Sequence, residues 1–205
     1  MSRNSETGVK TVIKGFGALF SILLLAALLT ACSSDPSTSN ILTASTVVNR
    51  TMVIRSGTEP GKTDWPQFSP ADITIPAGAT VKLTIISYDN GTAPLPTGSP
   101  FGHVWGGDST FGLVQGGTEL SDGKPLTELP NSEVSHTFTV PGLLINVVIP
   151  AVPNGATTTT VVYTFRVLKR GTYEWLCAAP CGSGSMGMGG AMQTFGWMRG
   201  LVKVV

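Results

Sequence analysis

The residues of this chain that could bind a metal are a histidine and two cysteines that lie far apart in the sequence. His136 lies in an apolar run, and Cys177 and Cys181 are separated by three residues near the carboxyl end. Imidazole nitrogen and thiolate sulfur are preferred ligands of soft transition metals. Cys177 ends a β-rich run, and another apolar run, 201–205, closes the chain. Two strands should therefore hold both ends of a short sulfur-bearing loop.

The loop after the second cysteine is rich in methionine and glycine. It contains Met186, Met188 and Met192. Methionine usually fills gaps in a core. The many glycines between these residues do not suit a core element, so we interpret their sulfurs as further candidate metal ligands.

Alternation of apolar and polar residues predicts that strands position these side chains. Residues 73–75 and 80–86 alternate strictly, so each run should bury one face. Further strands are predicted at 46–54, 134–140, 143–149, 157–167 and 171–177. Without an amphipathic helix, this pattern predicts an all-β sandwich with Greek-key connections. Residues 88–131 show little periodicity, so they are either functional or hold small elements of their own.

Composition and charge narrow the classes of function. The 25 glycines, 14 prolines and 12% charged residues suit short strands joined by turns. Loss of residues 1–31 would leave a net charge near −1 and no basic run, so nucleic acid is not an expected partner. No nucleophile motif is present, and no carboxylate accompanies the histidines in a recognisable arrangement. An enzyme is therefore not expected.

The amino-terminal segment predicts export. Lys10 and Lys14 precede the apolar run 16–29. This run is shorter than the roughly 20 apolar residues that a membrane-spanning helix requires. Leu29-Thr30-Ala31-Cys32 resembles the bacterial lipobox, so we expect a signal peptide at 1–31 and a lipidated Cys32. A flexible tether would follow to residue 45, with the domain at 46–205. An uncleaved anchor is the alternative, and either places the domain outside the cytoplasmic membrane.

Lipidation of Cys32 would leave the other two cysteines as a pair. In an oxidising compartment, Cys177 and Cys181 could form either a disulfide or a metal site. The spacing alone does not decide between them.

Two motifs together resemble the cupredoxin family. The first is His136-Thr-Phe-Thr-Val-Pro-Gly, and the second is Gly171-Thr-Tyr-Glu-Trp-Leu-Cys177-Ala-Ala-Pro-Cys181-Gly. They are most similar to the copper-binding, CuA-type domain of cytochrome c oxidase subunit II. The similarity covers about residues 72–205, with 88–131 as an unmatched insertion. It implies a cupredoxin-like β-sandwich that binds copper.

The resemblance also implies a ligand set. In that family two bridging thiolates, two histidines, a methionine and a backbone carbonyl hold two copper ions. The matching positions here are His136, Cys177, Ala179 (by its carbonyl), Cys181 and Met188.

Ser185 stands where the family has its second histidine. A serine hydroxyl is a hard, neutral ligand and does not replace imidazole for copper. One possibility is that Met186, Met188 or Met192 substitutes, which gives a mononuclear or altered dinuclear site. Another is that His103 supplies the missing imidazole from the insertion.

Two further arrangements remain open. The cysteines could form a Cu(I) site for binding alone, together with Met186, Met188, Met192 and Met198, or the cysteines could form a disulfide without copper. We expect a membrane-anchored, extracytoplasmic electron carrier with a redox partner such as a cytochrome or an oxidase. The alternatives are a Cu(I) trafficking or sequestering lipoprotein, and a metal-free structural subunit of a respiratory or surface complex. Backbone amides of residues 178–183 are the expected hydrogen-bond donors to the sulfur.

Overall fold

A computed structural model describes residues 46–107 and 112–205. Its twelve strands form two six-stranded sheets. The first sheet contains β1 (Val47–Ser56), β2 (Pro66–Ser69), β4 (Thr80–Ser87), β6 (Val114–Ser121), β7 (Lys124–Leu126) and β10 (Thr159–Val167). The second contains β3 (Ile73–Ile75), β5 (Trp105–Gly106), β8 (Val134–Val140), β9 (Ile145–Pro150), β11 (Gly171–Leu176) and β12 (Arg199–Val204). The predicted signal peptide, Cys32 and the tether lie outside the described residues.

The chain crosses repeatedly between the two sheets. The spatial order is β2-β1-β4-β10-β6-β7 in the first sheet and β3-β12-β11-β8-β9-β5 in the second. Strands β1 and β4 are parallel, as are β3 and β12, and the other pairs are antiparallel. This is the all-β sandwich of two sheets that the sequence predicts.

Helical structure is minor in the part of the chain that the structure describes. It consists of the short 3-10 helices Pro100–Gly102, Pro141–Leu143 and Gly190–Gln193. None of these described segments has the length and apolar character needed to cross a membrane.

The alternating runs predicted in β3 and β4 are confirmed. Ile73 and Ile75 are buried and Thr74 between them is exposed; in β4, Val81 and Leu83 are likewise fully buried. The two strands belong to opposite sheets, so both apolar faces point into one core.

An aromatic cluster fills the core beneath the carboxyl-terminal loop. Phe138 of β8 stacks on Trp175 of β11 with ring centroids 5.0 Å apart, and Phe68 meets Trp175 edge-on at 4.8 Å. All three side chains are buried. Such pairs contribute about 0.5–1.5 kcal/mol each beyond their buried area, so the strands that carry His136 and Cys177 are firmly held together.

Strand β8 was predicted to bury one face and expose the other to solvent. In the structure all seven of its residues are buried. The side facing away from the core carries hydroxyls, and Thr139 Oγ1 lies 2.8 Å from Thr137 Oγ1 and donates to Asn146 Oδ1 at 2.6 Å. Asn146 Nδ2 in turn donates to the carbonyls of Phe101 and His103. The insertion therefore covers this face and satisfies the Asn146 amide, whereas Ser135 Oγ on the same face is buried without a hydrogen-bond partner.

The insertion at 88–131 is built largely of small elements. It contributes β5 to the second sheet and β6 and β7 to the first. Strand β6 has a register shift opposite Thr164 and Phe165, with Gly116 and Gly117 both at positive φ. A Cβ at position 117 would run into the backbone of Gly106, so this contact between the sheets requires glycine.

Candidate metal site

His136 lies in β8 with its imidazole buried. Its Nε2 is 2.9 Å from Asp89 Oδ2. An ionised carboxylate only accepts hydrogen bonds, so Nε2 carries the proton and donates it. The other ring nitrogen, Nδ1, is buried without a hydrogen-bond partner. A buried polar atom left without a partner is costly, and a metal ion would satisfy it.

Asp89 is itself held in place by the backbone. Its Oδ1 accepts from the amide of Gly91 at 2.8 Å, its own amide donates to Ser87 Oγ at 3.2 Å, and its carbonyl accepts from Val152 N at 2.9 Å. The hydrogen bond from His136 lowers the pKa of Asp89, partial burial opposes this, and the Gly91 amide lowers it again. The carboxylate is therefore ionised when it meets the imidazole.

The two cysteine sulfurs lie beside the imidazole. Cys177 Sγ is 3.4 Å from Cys181 Sγ, and one ligand atom from each cysteine and from His136 all lie within 4.8 Å of one another. Both thiols are free, and their separation exceeds the roughly 2.05 Å of a disulfide bond. The structure thus brings together three of the predicted ligands, one from β8 and two from the segment that follows β11.

The amide donor to the sulfur differs from the expectation. Thr137 N, in β8, donates to Cys177 Sγ at 3.3 Å. We expected donors from residues 178–183, but Cys177 lies at the end of β11, against β8, so the neighbouring strand supplies the amide. Within the loop, the amide of Ala178 instead donates to Thr137 Oγ1 at 2.7 Å.

The proton affinities of the three groups depend on one another. Burial raises the pKa of Cys177, but hydrogen bonding with Cys181 and the proximity of His136 outweigh it, so the pKa lies well below its ordinary value. The pKa of Cys181 is raised, first by the hydrogen bond between Cys181 and Cys177 and second by burial. Burial lowers the pKa of His136, but Asp89 and the Cys177 sulfur raise it to about 9. At neutral pH a metal would therefore displace protons from this cluster, including the one on Nδ1.

Met192 is the methionine that reaches the cysteines. Its Sδ lies 3.3 Å from Cys181 Sγ, and the residue is 5% exposed. The 3-10 helix Gly190–Gln193 turns it inward. Met188, which the spacing favoured, is 39% exposed and accepts a hydrogen bond from Gln193 through its carbonyl. Met192, a weaker candidate in the sequence, thus lies in contact with Cys181.

Ala179 places a backbone carbonyl at the edge of the cluster. Its oxygen is 3.6 Å from Cys177 Sγ and accepts the amide of Cys181 at 2.8 Å. The carbonyl is therefore near the sulfurs, as the resemblance implied, with one lone pair already engaged.

The remaining candidates lie elsewhere. Ser185 and Met186 are exposed. The His103 side chain is 58% exposed, and its Nδ1 is 3.3 Å from Glu128 Oε2. Among residues 46–107 and 112–205, one group of three or more His, Cys, Asp or Glu side chains has metal-binding spacing. It consists of His136, Cys177 and Cys181 and does not include His103.

The donor set suits copper. It offers one imidazole nitrogen, two thiol sulfurs and one thioether, from His136, Cys177, Cys181 and Met192. Thiolate and thioether ligands select Cu(I), and imidazole suits both oxidation states, whereas Mg²⁺ and Ca²⁺ require oxygen ligands. The orphaned Nδ1 and the soft sulfurs therefore fit a copper ion.

Two residues that contact the candidate ligands, Asp89 and Thr137, were not identified from the sequence. Asp89 lies two residues after the end of β4, and Asp-Asn-Gly is a turn signal, but nothing in the sequence relates it to His136. Thr137 acts through its backbone amide, which every residue except proline carries.

Comparison with known proteins adds structural neighbours only. No family model matches the sequence, and no curated protein matches it. The copper protein rusticyanin is 17% identical, over 79% of this chain and 80% of that one, with a TM-score of 0.36. Rusticyanin from Thiobacillus ferrooxidans is 18% identical over 77% of each chain, with a TM-score of 0.31. A multi-copper oxidase from Pediococcus acidilactici is 13% identical, over 90% of this chain and 30% of that one, with a TM-score of 0.34. Likenesses this distant carry no argument about function, so the contacts described above must supply it.

Proposed function

We propose that this chain is a copper protein that transfers single electrons outside the cytoplasmic membrane, to which a lipid on Cys32 anchors it. The observation that carries the proposal is the meeting of His136, Cys177 and Cys181, whose ligand atoms all lie within 4.8 Å of one another while both thiols are free. The export signal and the lipobox-like motif support the location.

Four side chains would hold the copper: His136, Cys177, Cys181 and Met192. Copper bound there would exchange one electron between its +1 and +2 states. The amide of Thr137 stabilises negative charge on Cys177 Sγ and so tunes the site from outside the ligand set. The buried rings of Phe138 and Trp175, on the strands that carry the ligands, help to keep water out of the adjoining core.

The partner is proposed to be a redox protein, such as a cytochrome or an oxidase. Cys181 is only partly buried, and the loop that follows it exposes Met186 and Met188. An electron would therefore enter or leave most directly at this end of the sandwich. Replacement of Cys32 by alanine should abolish incorporation of a radiolabelled fatty acid into the protein, which tests the lipid anchor separately.

Optical spectroscopy of the mature protein loaded with Cu(II) tests the copper site. We expect intense thiolate-to-copper charge-transfer bands, which Cys177→Ser should abolish. His103→Ala is the matched control and should leave the bands unchanged, because His103 lies on the exposed insertion. Absence of the bands, together with a mass two protons lower, would instead indicate a disulfide and a metal-free structural subunit.

Cu(I) trafficking or sequestration is the second candidate function. It is favoured by Met192, because a thioether beside two thiols gives three sulfurs and one nitrogen, a set that prefers Cu(I). Competition with a chromophoric Cu(I) chelator, combined with voltammetry, separates the two functions. A reversible one-electron wave supports electron transfer. Tight Cu(I) binding with neither a wave nor a charge-transfer band supports trafficking.

A further inference from the structure

We infer that Asp89 is a positioning residue for the copper and that its charge sets the preference of the site for Cu(II) over Cu(I). The inference rests on the proposed copper site. Its first basis is the 2.9 Å contact between Asp89 Oδ2 and Nε2 of the buried His136. This hydrogen bond keeps a proton on Nε2 and leaves Nδ1 as the nitrogen that can take a metal.

The second basis is the way Asp89 is held. The amide of Gly91 fixes one carboxylate oxygen, and Ser87 Oγ and the amide of Val152 fix the main chain. The other oxygen is thereby directed at the imidazole.

The third basis is charge. The Asp89 side chain is 35% exposed, whereas the imidazole it contacts is almost fully buried. A negative charge one residue removed from the metal stabilises Cu(II) more than Cu(I), because the oxidised ion carries the larger charge. The carboxylate therefore offsets part of the preference for Cu(I) that three sulfurs impose.

The experiment compares three substitutions in the mature protein. Asp89→Ala removes both the hydrogen bond and the charge, Asp89→Asn retains an acceptor without the charge, and Asp89→Glu retains the charge. The matched control is Glu128→Gln, which alters the exposed His103–Glu128 pair. Circular dichroism verifies that each variant is folded.

The readouts are the Cu(I) affinity, by chelator competition, and the reduction potential. Asp89→Ala should weaken Cu(I) binding about 10- to 100-fold. Asp89→Asn should change Cu(I) affinity less but lower the ratio of Cu(II) to Cu(I) affinity about tenfold, which raises the potential by about 59 mV. Asp89→Glu should restore most of the wild-type potential, and the control should change neither quantity.

A metal-independent readout separates this inference from the proposed function. In the metal-free protein, nitrogen-filtered proton NMR should show a slowly exchanging proton on His136 Nε2, which Asp89→Ala removes. If wild-type protein binds no copper, the proposed function fails, and with it the role of Asp89 in tuning copper. If wild-type protein binds copper but the alanine and asparagine variants retain its affinity and potential, or if the Nε2 proton is absent, Asp89 is not the positioning residue.

Discussion

A buried carboxylate outside the proposed ligand set makes the stability of this protein depend on pH. Glu119, in β6, is 3% exposed; its Oε2 accepts the amide of Val148 at 3.1 Å, and its Oε1 has no hydrogen-bond partner. Burial raises the pKa of Glu119 to about 8, although the hydrogen bond from the Val148 amide acts to lower it. In the unfolded chain the group titrates near its ordinary value of 4.5.

The sign and size of the effect follow from linkage. Between pH 4.5 and 8 the folded protein keeps the Glu119 proton and the unfolded chain has lost it, so the free energy of unfolding falls as pH rises. At about 1.4 kcal/mol per pK unit, the full shift gives an upper bound on the order of 5 kcal/mol. Water drawn to the ionised carboxylate would reduce this, and we expect roughly 2–3 kcal/mol.

Glu119→Gln isolates the effect, because the amide keeps the acceptor for Val148 and removes the titration. Urea unfolding of wild type and variant at pH 5, 6, 7 and 8 gives the difference in free energy of unfolding at each pH. The free energy of unfolding of Glu119→Gln, relative to that of wild type, should increase steadily, by roughly 2–3 kcal/mol between pH 5 and pH 8. Glu133→Gln, at an exposed position, is the control and should follow wild type. A Glu119→Gln difference that stays constant with pH would refute the reasoning.

Two further predictions concern the ligand loop and the contact between the sheets. Met192→Leu should weaken Cu(I) binding at least tenfold in chelator competition, whereas Met188→Leu should change it less than threefold; the reverse order would return the thioether role to Met188. Gly117→Ala should destabilise the fold by about 2 kcal/mol or more in urea unfolding, because positive φ and the backbone of Gly106 leave no room for a Cβ; an unchanged midpoint would contradict the close approach.

Much of the fold was predictable because its signals are local. The alternation in β3 and β4 predicts which residues are buried, and the structure confirms it. Strand β8 was predicted to have one solvent-exposed face because the residues that bury this face are distant in the sequence. The carbonyls of Phe101 and His103 accept hydrogen bonds from Asn146 there. Strand β6 was missed because Gly116 and Gly117 interrupt its pattern where the register shifts.

The candidate site likewise contains residues that the sequence predicts and residues that only the fold brings together. His136, Cys177 and Cys181 could be proposed because each residue type carries its own chemistry and the two motifs resemble one family. Asp89 and Met192 act through their positions instead. The path of a turn after β4 and the inward rotation of a 3-10 helix decide those positions, and spacing along the chain does not encode either one.

The hydroxyl and amide groups on the outer side of β8 would have a consequence for the rate of the proposed electron transfer. They join the carbonyls at 101 and 103, through Asn146, Thr139 and Thr137, to the amide of Ala178 directly after the first cysteine. Copper held beside this bracing would change its surroundings little between oxidation states, so the reorganisation energy would be small. The distance and the driving force to the partner, rather than the motion of the ligands, would then limit how fast an electron moves.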